Sequence, residues 1–586
     1  MKKILAMLLA VVMVLSLCAC GAKEEAPAAA PEAPVEEVPS AEELVSDAFI
    51  DPVNGWAAYD ELIAQIKSET DYAKRTELMH QAEDILMSNY AVIPLYYYND
   101  IYMMKDYVKG TYSNPFGTKF FMYATMENGA DTLRINLASE PGYLDPALNS
   151  SVDGACLAAN SFSGLYSYNA EGVTEPACAT GYTVSKDGLT YTVTLREGLK
   201  WSDGSDLTAA DFEYAWKRAA DPMTAADYGY MFDGIARDEN GVMMVSAIDN
   251  TTLEFTLIAP CAYIEDLMAF PTFFPVKQSA VEAFEGWETA PGGWCQEAGF
   301  VSNGAFVCTA WEHDVSMTYE KNPYWYDAEK VTVEKIEYML SADDTAIFAA
   351  YNAGNIDIAD TVPTDEIANV IDSPEFYIVD ELGTYYVAFN VQSELFADKT
   401  PEQAACMREA FNLLIDRDYI CENVGQTGQL AANAYIPLGM ADGNGGIFKS
   451  DAVAEGYYNP YAINEDYEGT VEKARTLLKA AGFKFDEDGT LSDETPIQIE
   501  YLTNDGTGHI AVAESMQQDF AVLGIEISIA VQDWNVFLEE RKNGNFDIAR
   551  EGWVADFNDP INMLEMFATV SGNNDPQYGR FEGWEG

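Results

Sequence analysis

Four side chains in the last tenth of this chain have types and spacing suited to holding a zwitterion. Trp534 lies in the run Asp533-Trp534-Asn535-Val536-Phe537-Leu538, and Arg550, Trp553 and Asp556 follow between Asn545 and Pro560. An arginine grips a carboxylate with two parallel hydrogen bonds, an aspartate accepts charge-assisted bonds from an ammonium, and indole faces cover what lies between. The alternation of apolar and polar residues from Phe546 to Ala549 suits a strand that would carry Arg550. On spacing alone an internal Arg550 to Asp556 ion pair explains the same residues better, because such pairs are common and mostly structural.

The elements that must position these residues are legible from periodicity. Trp56 to Glu69 and Tyr72 to Tyr90 place apolar residues at helical spacing, as with Leu78, Ala82, Ile85 and Leu86. Pro94 ends that pattern, and Leu95-Tyr96-Tyr97-Tyr98 and Ile101-Tyr102-Met103-Met104 read as strand material. Tyr191 to Leu195 alternates as a half-buried strand, and Thr208 caps a helix that turns Phe212, Ala215 and Trp216 inward. Gly354 stops a further helix, Thr384 to Asn390 is a buried strand, and Glu402 to Asn412 is helical.

Hydrophobic residues make up 48% of the 586 positions, enough for sizeable cores, so the chain is several domains or one large binding fold with lobes. Against 32 basic residues stand 96 acidic ones, a net charge of -64 that repels nucleic acid. The three histidines, His80, His313 and His509, form no metal-ligand pattern, and no Gly-Lys-Ser/Thr entry follows the glycines between Gly439 and Gly446. Asp486-Glu487-Asp488-Gly489 carries its glycine too early for a calcium loop and reads as a hairpin turn. Nothing in these observations argues for an enzyme, a cofactor or a metal, and the expectation is a binding protein that is not an enzyme.

Met1-Lys2-Lys3 and the apolar run from Ile4 to Leu17 read as a secretory signal over residues 1–19, too short for a span of ~20 residues. Leu17-Cys18-Ala19-Cys20 resembles a bacterial lipobox, which implies a lipidated Cys20, and the Ala, Pro and Glu content up to residue 43 reads as a disordered tether. Seven of the nine cysteines then remain, an odd number that excludes a complete disulfide framework. Cys261 with Cys295, or Cys295 with Cys308, are the candidate pairs.

The stretch from Trp534 to Pro560 resembles the W-x-x-[FY]-L … F-D-[IV]-A-R-x-G-W-x-A-D-[FY]-x-[DE]-P block of the oligopeptide-binding proteins that serve ABC importers. Trp201 to Pro222 is similar to the W-S-D-G … F-x-Y-A-W-K-R signature of the same family, and Asn322 to Tyr326 to its N-P-x-Y-W turn. The resemblance implies a two-lobed α/β fold of the periplasmic-binding-protein type, with a hinge and a peptide held between the lobes. It implies that Asp556 holds the peptide ammonium, that Arg550 meets its carboxylate, and that Trp553 and Trp534 wall side-chain pockets. The family's histidine near the carboxylate falls at Gly508, beside His509, and Leu157 and the strand near Phe389 are the expected edge contacts.

One feature departs from the family order. Residues 56–117 resemble the family's carboxyl-terminal end, yet they precede Leu133-Arg134-Ile135-Asn136, which resembles its first strand. The chain therefore resembles a circular permutation joined near residues 127–131. The expected organisation is a signal over 1–19, the lipidated tether over 20–43, a helical segment over 44–90 completing the second lobe, and first-lobe strands over 91–168. An inserted subdomain over 169–299, the first lobe and hinge over 300–395 and the second lobe over 396–586 follow. The function implied is a monomeric receptor, lipid-anchored outside the bacterial cell membrane, that delivers short peptides to an ABC permease. The alternatives are an oligosaccharide or haem receptor of the same fold, a surface hydrolase, and a peptide sensor.

Overall fold

The computed structural model describes residues 38–137, 140–449 and 467–581. The signal, Cys20 and most of the tether lie outside the described residues.

Apolar spacing and capping account for the first long elements. Helix α1 (Ala57–Ser68) buries Tyr59, Leu62, Ile63 and Ile66 on one face. Helix α2 (Tyr72–Ser88) starts where the Asp71 carboxylate accepts the backbone N–H groups of Ala73 and Lys74. Both helices dock on residues 559–579. Trp56, just before α1, stacks on Tyr578 at 3.9 Å and donates its indole N–H to the Phe567 carbonyl. Tyr59 donates to the Leu564 carbonyl at 2.9 Å, and Arg75 grips Asp559 through two bonds of 2.8 Å, both side chains buried. A segment early in the chain and one near its end thus form one core.

The central element is a ten-stranded mixed sheet, numbered here in chain order. Its strands are β1 (Val92–Met104), β2 (Thr132–Asn136), β3 (Phe306–Glu312), β4 (Ser316–Lys321), β5 (Lys335–Met339), β6 (Ile358–Ala359), β7 (Phe376–Phe389), β8 (Gln498–Asn504), β9 (Glu526–Gln532) and β10 (Ile548–Val554). The spatial order is β3-β4-β5-β2-β6-β1-β7-β10-β8-β9. Strands β1 and β7 run antiparallel through the middle. The end of β1 pairs with β6 and with the start of β7, while the end of β7 pairs with β10. All pairing between the two halves of the sheet therefore passes through β1 and β7. Their register is irregular between Pro94 and Tyr96 and again between Tyr97 and Asn99, the kind of local bend that a proline without an N–H and an unpaired residue produce. The two apolar stretches expected around Asn99 are one strand, and it continues through Pro94.

A separate antiparallel sheet of four strands uses Ala179–Val184, Thr190–Leu195, Val245–Asp249 and Thr252–Thr256. Its inward residues Tyr191, Val193 and Leu195 are buried. Helix α3 (Val152–Ser161) begins at a Ser151 cap. Helix α4 (Ala209–Ala219) covers the small sheet with Phe212 and Trp216, and its start is fixed by a capping box between Thr208 and Asp211. The candidate disulfides are not formed. All seven described cysteines are free thiols; Cys295 faces the Gly292 carbonyl and Cys308 that of Ala310 instead of each other.

Candidate functional site

Strand β10 positions the cluster. Its apolar residues Ile548 and Ala549 pair with both neighbours, β7 on one side and β8 on the other. Beyond Ala549 the chain stays paired to β7 as far as Val554, but β8 has diverged, so among the described residues the far edge of Arg550 to Val554 has no strand partner. Gly552 lets the Tyr98 hydroxyl, which crosses from β1, lie against this run, and a Cβ there would displace that ring. The open edge faces a cleft of about 340 Å³ that takes lining from both halves of the sheet, Ser150 to Asp153 and Asp360 on one side and His509, Trp534 and Arg550 on the other.

Arg550 and Asp556 do not pair with each other. The Arg550 side chain is 9% exposed and lies among the rings of Tyr385, Trp534 and Phe537 at 5.5–5.8 Å. A terminal nitrogen of its guanidinium lies 3.1 Å from His509 Nε2, and its Nε is buried without a hydrogen bond. No carboxylate of the described residues is within ion-pair distance of it. A guanidinium has no acceptor capacity, so it must donate to His509 Nε2, and the His509 Nδ1–H then donates to the Tyr385 hydroxyl at 3.0 Å. Burial and the adjacent Arg550 charge hold the His509 imidazole well below its usual range, hence neutral.

Asp556 is its counterpart. Oδ1 accepts from the Tyr228 hydroxyl at 3.0 Å and Oδ2 from the Asn562 amide at 2.8 Å. Asn562 in turn accepts the Trp553 indole N–H and the Asp556 backbone N–H, so it fixes both the wall and the acid. No lysine or arginine of the described residues neutralises Asp556. Burial pushes its carboxyl up to about 7. One cleft thus holds an uncompensated buried cation and an uncompensated buried carboxyl, an arrangement costly to the empty protein and complementary to an ammonium and a carboxylate.

Of the residues singled out from the sequence, Asp556, Arg550, Trp553, Trp534 and His509 all line the cleft. Leu157 and Phe389 do not. Leu157 is 2% exposed inside α3, and Phe389, at the fully buried end of β7, packs on Phe396 and Phe411. Their apolar character serves the core. The sequence reading missed Tyr228, Asp153, Asp360 and Tyr98, whose only local signal was a polar or aromatic side chain among many.

Residues 173–575 match the family model of the bacterial extracellular solute-binding proteins, family 5. The chain is 33% identical over 493 residues to the oligopeptide-binding protein OppA of Bacillus subtilis, across 81% of this chain and 82% of that protein. It is 31% identical over 456 residues to the dipeptide-binding protein DppE of the same organism, across 76% and 78%. Among solved structures, Listeria monocytogenes OppA bound to peptide superposes with a TM-score of 0.65 at 26% identity, covering 77% of this chain and 86% of that one.

Proposed function

Because the chain belongs to the bacterial extracellular solute-binding proteins of family 5, we propose that its cleft captures short peptides outside the cytoplasm and hands them to an ABC importer. The observation that carries this reading is the pair of buried charges without an ion-pair partner among the described residues, Arg550 on an open strand edge and Asp556 two residues beyond its end. Fully extended, the chain between them reaches no more than about 20 Å, a distance that suits an extended peptide of about three to five residues. The peptide adds to the open edge of β10 by main-chain hydrogen bonds, which gives affinity without reading side chains. Its ammonium meets Asp556, its carboxylate meets Arg550 with His509 alongside, and Trp534 and Trp553 wall the side-chain space. The relatives named above are described as oligopeptide- and dipeptide-binding proteins, which supports a peptide ligand over sugar or haem, neither of which needs this charge pair.

The same proposal includes a monomeric receptor tethered through a lipidated Cys20, closing about the β1 and β7 crossing as ligand contacts both sides. It also includes a permuted chain order, supported by the docking of Trp56, Tyr59 and Arg75 on residues 559–578. The test is calorimetric titration of ligand-stripped protein with a pool of three- to five-residue peptides, beside the same pool acetylated at its amino ends. Binding of the free pool alone is expected. Equal binding of both pools, or of neither by folded protein, overturns the reading.

A further inference from the structure

One short segment beside the small four-stranded sheet reaches across the molecule. Residues 227–234 follow α4 and end in the 3-10 turn Gly229–Gly234. The chain on either side of this region returns to the same half of the central sheet, to β2 before it and β3 after it. Met231 and Phe232 are buried on their own side, Phe232 stacking on Phe273 at 4.3 Å. The polar side chains of the segment go the other way.

Asp227 takes the ammonium of Lys542, the last residue of the helix Trp534–Lys542 between β9 and β10, and accepts the Ser150 hydroxyl at 2.8 Å. Tyr228 donates to Asp556, and the Tyr230 hydroxyl accepts from the Asn573 amide at 3.5 Å. Asp233 lies 3.5 Å from the ammonium of Lys67, which Glu565 holds at 2.8 Å. Gly572 permits the approach, since a Cβ there would come within 3.0 Å of Asp227 Cα. Lys542, Asp556, Glu565, Gly572 and Asn573 follow β9 in the other half, and Lys67 stands on α1, which docks on residues 559–579. Strand pairing joins the two halves only through β1 and β7, so these contacts form a second junction that depends on side chains alone. Movement of the halves about the β1 and β7 crossing makes or breaks them as a set. The charged groups of the segment and their two lysines lie outside the lining of the cleft.

We infer that residues 227–234 act as a clasp, whose ionic ends, Asp227 with Lys542 and Asp233 with Lys67, hold the two halves together and set how long a bound peptide stays without touching it. The inference rests on the peptide reading above and adds positioning residues to it. An ion pair of this exposure contributes little within one rigid body. Between two bodies it acts on their closed and open populations, and the affinity of a ligand scales with the fraction in the closed form. Asp227 with Lys542 is the stronger end, because Asp233 is more than half exposed and shares Lys67 with Glu565. Every contact of the clasp is made by the protein itself, so it draws the halves together with or without a ligand.

The test follows tryptophan fluorescence in stopped flow as the full chain binds and releases tetra-alanine. In Asp227→Asn and in Lys542→Met, release should be about three- to tenfold faster and association within about twofold of the parent's. The double variant should release no faster than the faster single one, since either change alone removes the pair, and Lys542→Arg should stay within about twofold of the parent. Unchanged release in the folded single variants refutes the clasp, as does a double variant whose effect is the product of the two single ones; binding by the parent keeps the peptide reading alive in either case. If the parent does not bind tetra-alanine the peptide reading falls, and small-angle X-ray scattering of the ligand-free chain then decides the clasp. A larger radius of gyration in Lys542→Met than in the parent supports it, and equal radii refute it.

Discussion

Asp556→Asn separates a binding role from a structural one, because the two predict opposite changes in stability. The folded-state carboxyl lies near 7 against an ordinary 3.8, raised chiefly by burial. A raised carboxyl binds its proton more tightly in the folded than in the unfolded chain, so stability falls as pH climbs from about 4 to about 7, and the whole penalty is present above that. At 1.36 kcal/mol per unit the penalty is on the order of 4 kcal/mol. Asparagine keeps an oxygen for the Tyr228 hydroxyl but sets an N–H group against the Asn562 amide that Asp556 now accepts from. That conflict costs about 1–3 kcal/mol. The variant should therefore be less stable than the parent near pH 4 and as stable or more stable at pH 8, measured by urea unfolding of ligand-free protein. Binding moves the other way. Removing one member of a buried charge pair costs about 2–5 kcal/mol, so tetra-alanine should bind at least about 30-fold more weakly at pH 8. Parent affinity should fall roughly tenfold per unit as pH drops below 7, since the free protein must then release the Asp556 proton, and should fall again above the ammonium pKa of about 8. A variant that keeps full affinity, or loses stability equally at both pH values, refutes the assignment.

Arg550→Lys replaces a planar fork by a point charge. It should weaken peptides with free carboxyl ends by about 1–3 kcal/mol and leave carboxyl-terminal amides unchanged, as titration of the two series will show. Gly552→Ala should drive Tyr98 from its place against β10 and cost about 1–3 kcal/mol in urea unfolding, with a loss of peptide affinity. Trp56→Ala removes the stack on Tyr578 and the bond to Phe567. It should destabilise the fold by about 3–5 kcal/mol, read from the unfolding midpoint, while tetra-alanine affinity at low temperature stays near the parent's.

Periodicity and capping chemistry act within a few residues, and what they control was readable from the sequence. The helices at Ala57–Ser68 and Tyr72–Ser88, the cap at Thr208 and the buried strand ending at Phe389 lie where apolar spacing put them. The residue types at Arg550, Trp553 and Asp556 also named the chemistry the cleft can offer. Their pairing was another matter. Local spacing favoured an Arg550 to Asp556 ion pair, and only the tertiary structure shows both charges unneutralised, because Tyr228 and Asn562 occupy one carboxyl and His509 one guanidinium edge. Leu157 and Phe389 look the same from sequence whether they face a ligand or a core, and the packing of α3 and β7 put them in the core. The docking of Trp56 on Tyr578, the approach of Tyr98 to Gly552, and the pairing of Lys119 with Asp100 and Asp360 depend on segments far apart in the chain. Burial and charge balance are properties of such neighbourhoods, and a neighbourhood exists only once the chain has folded.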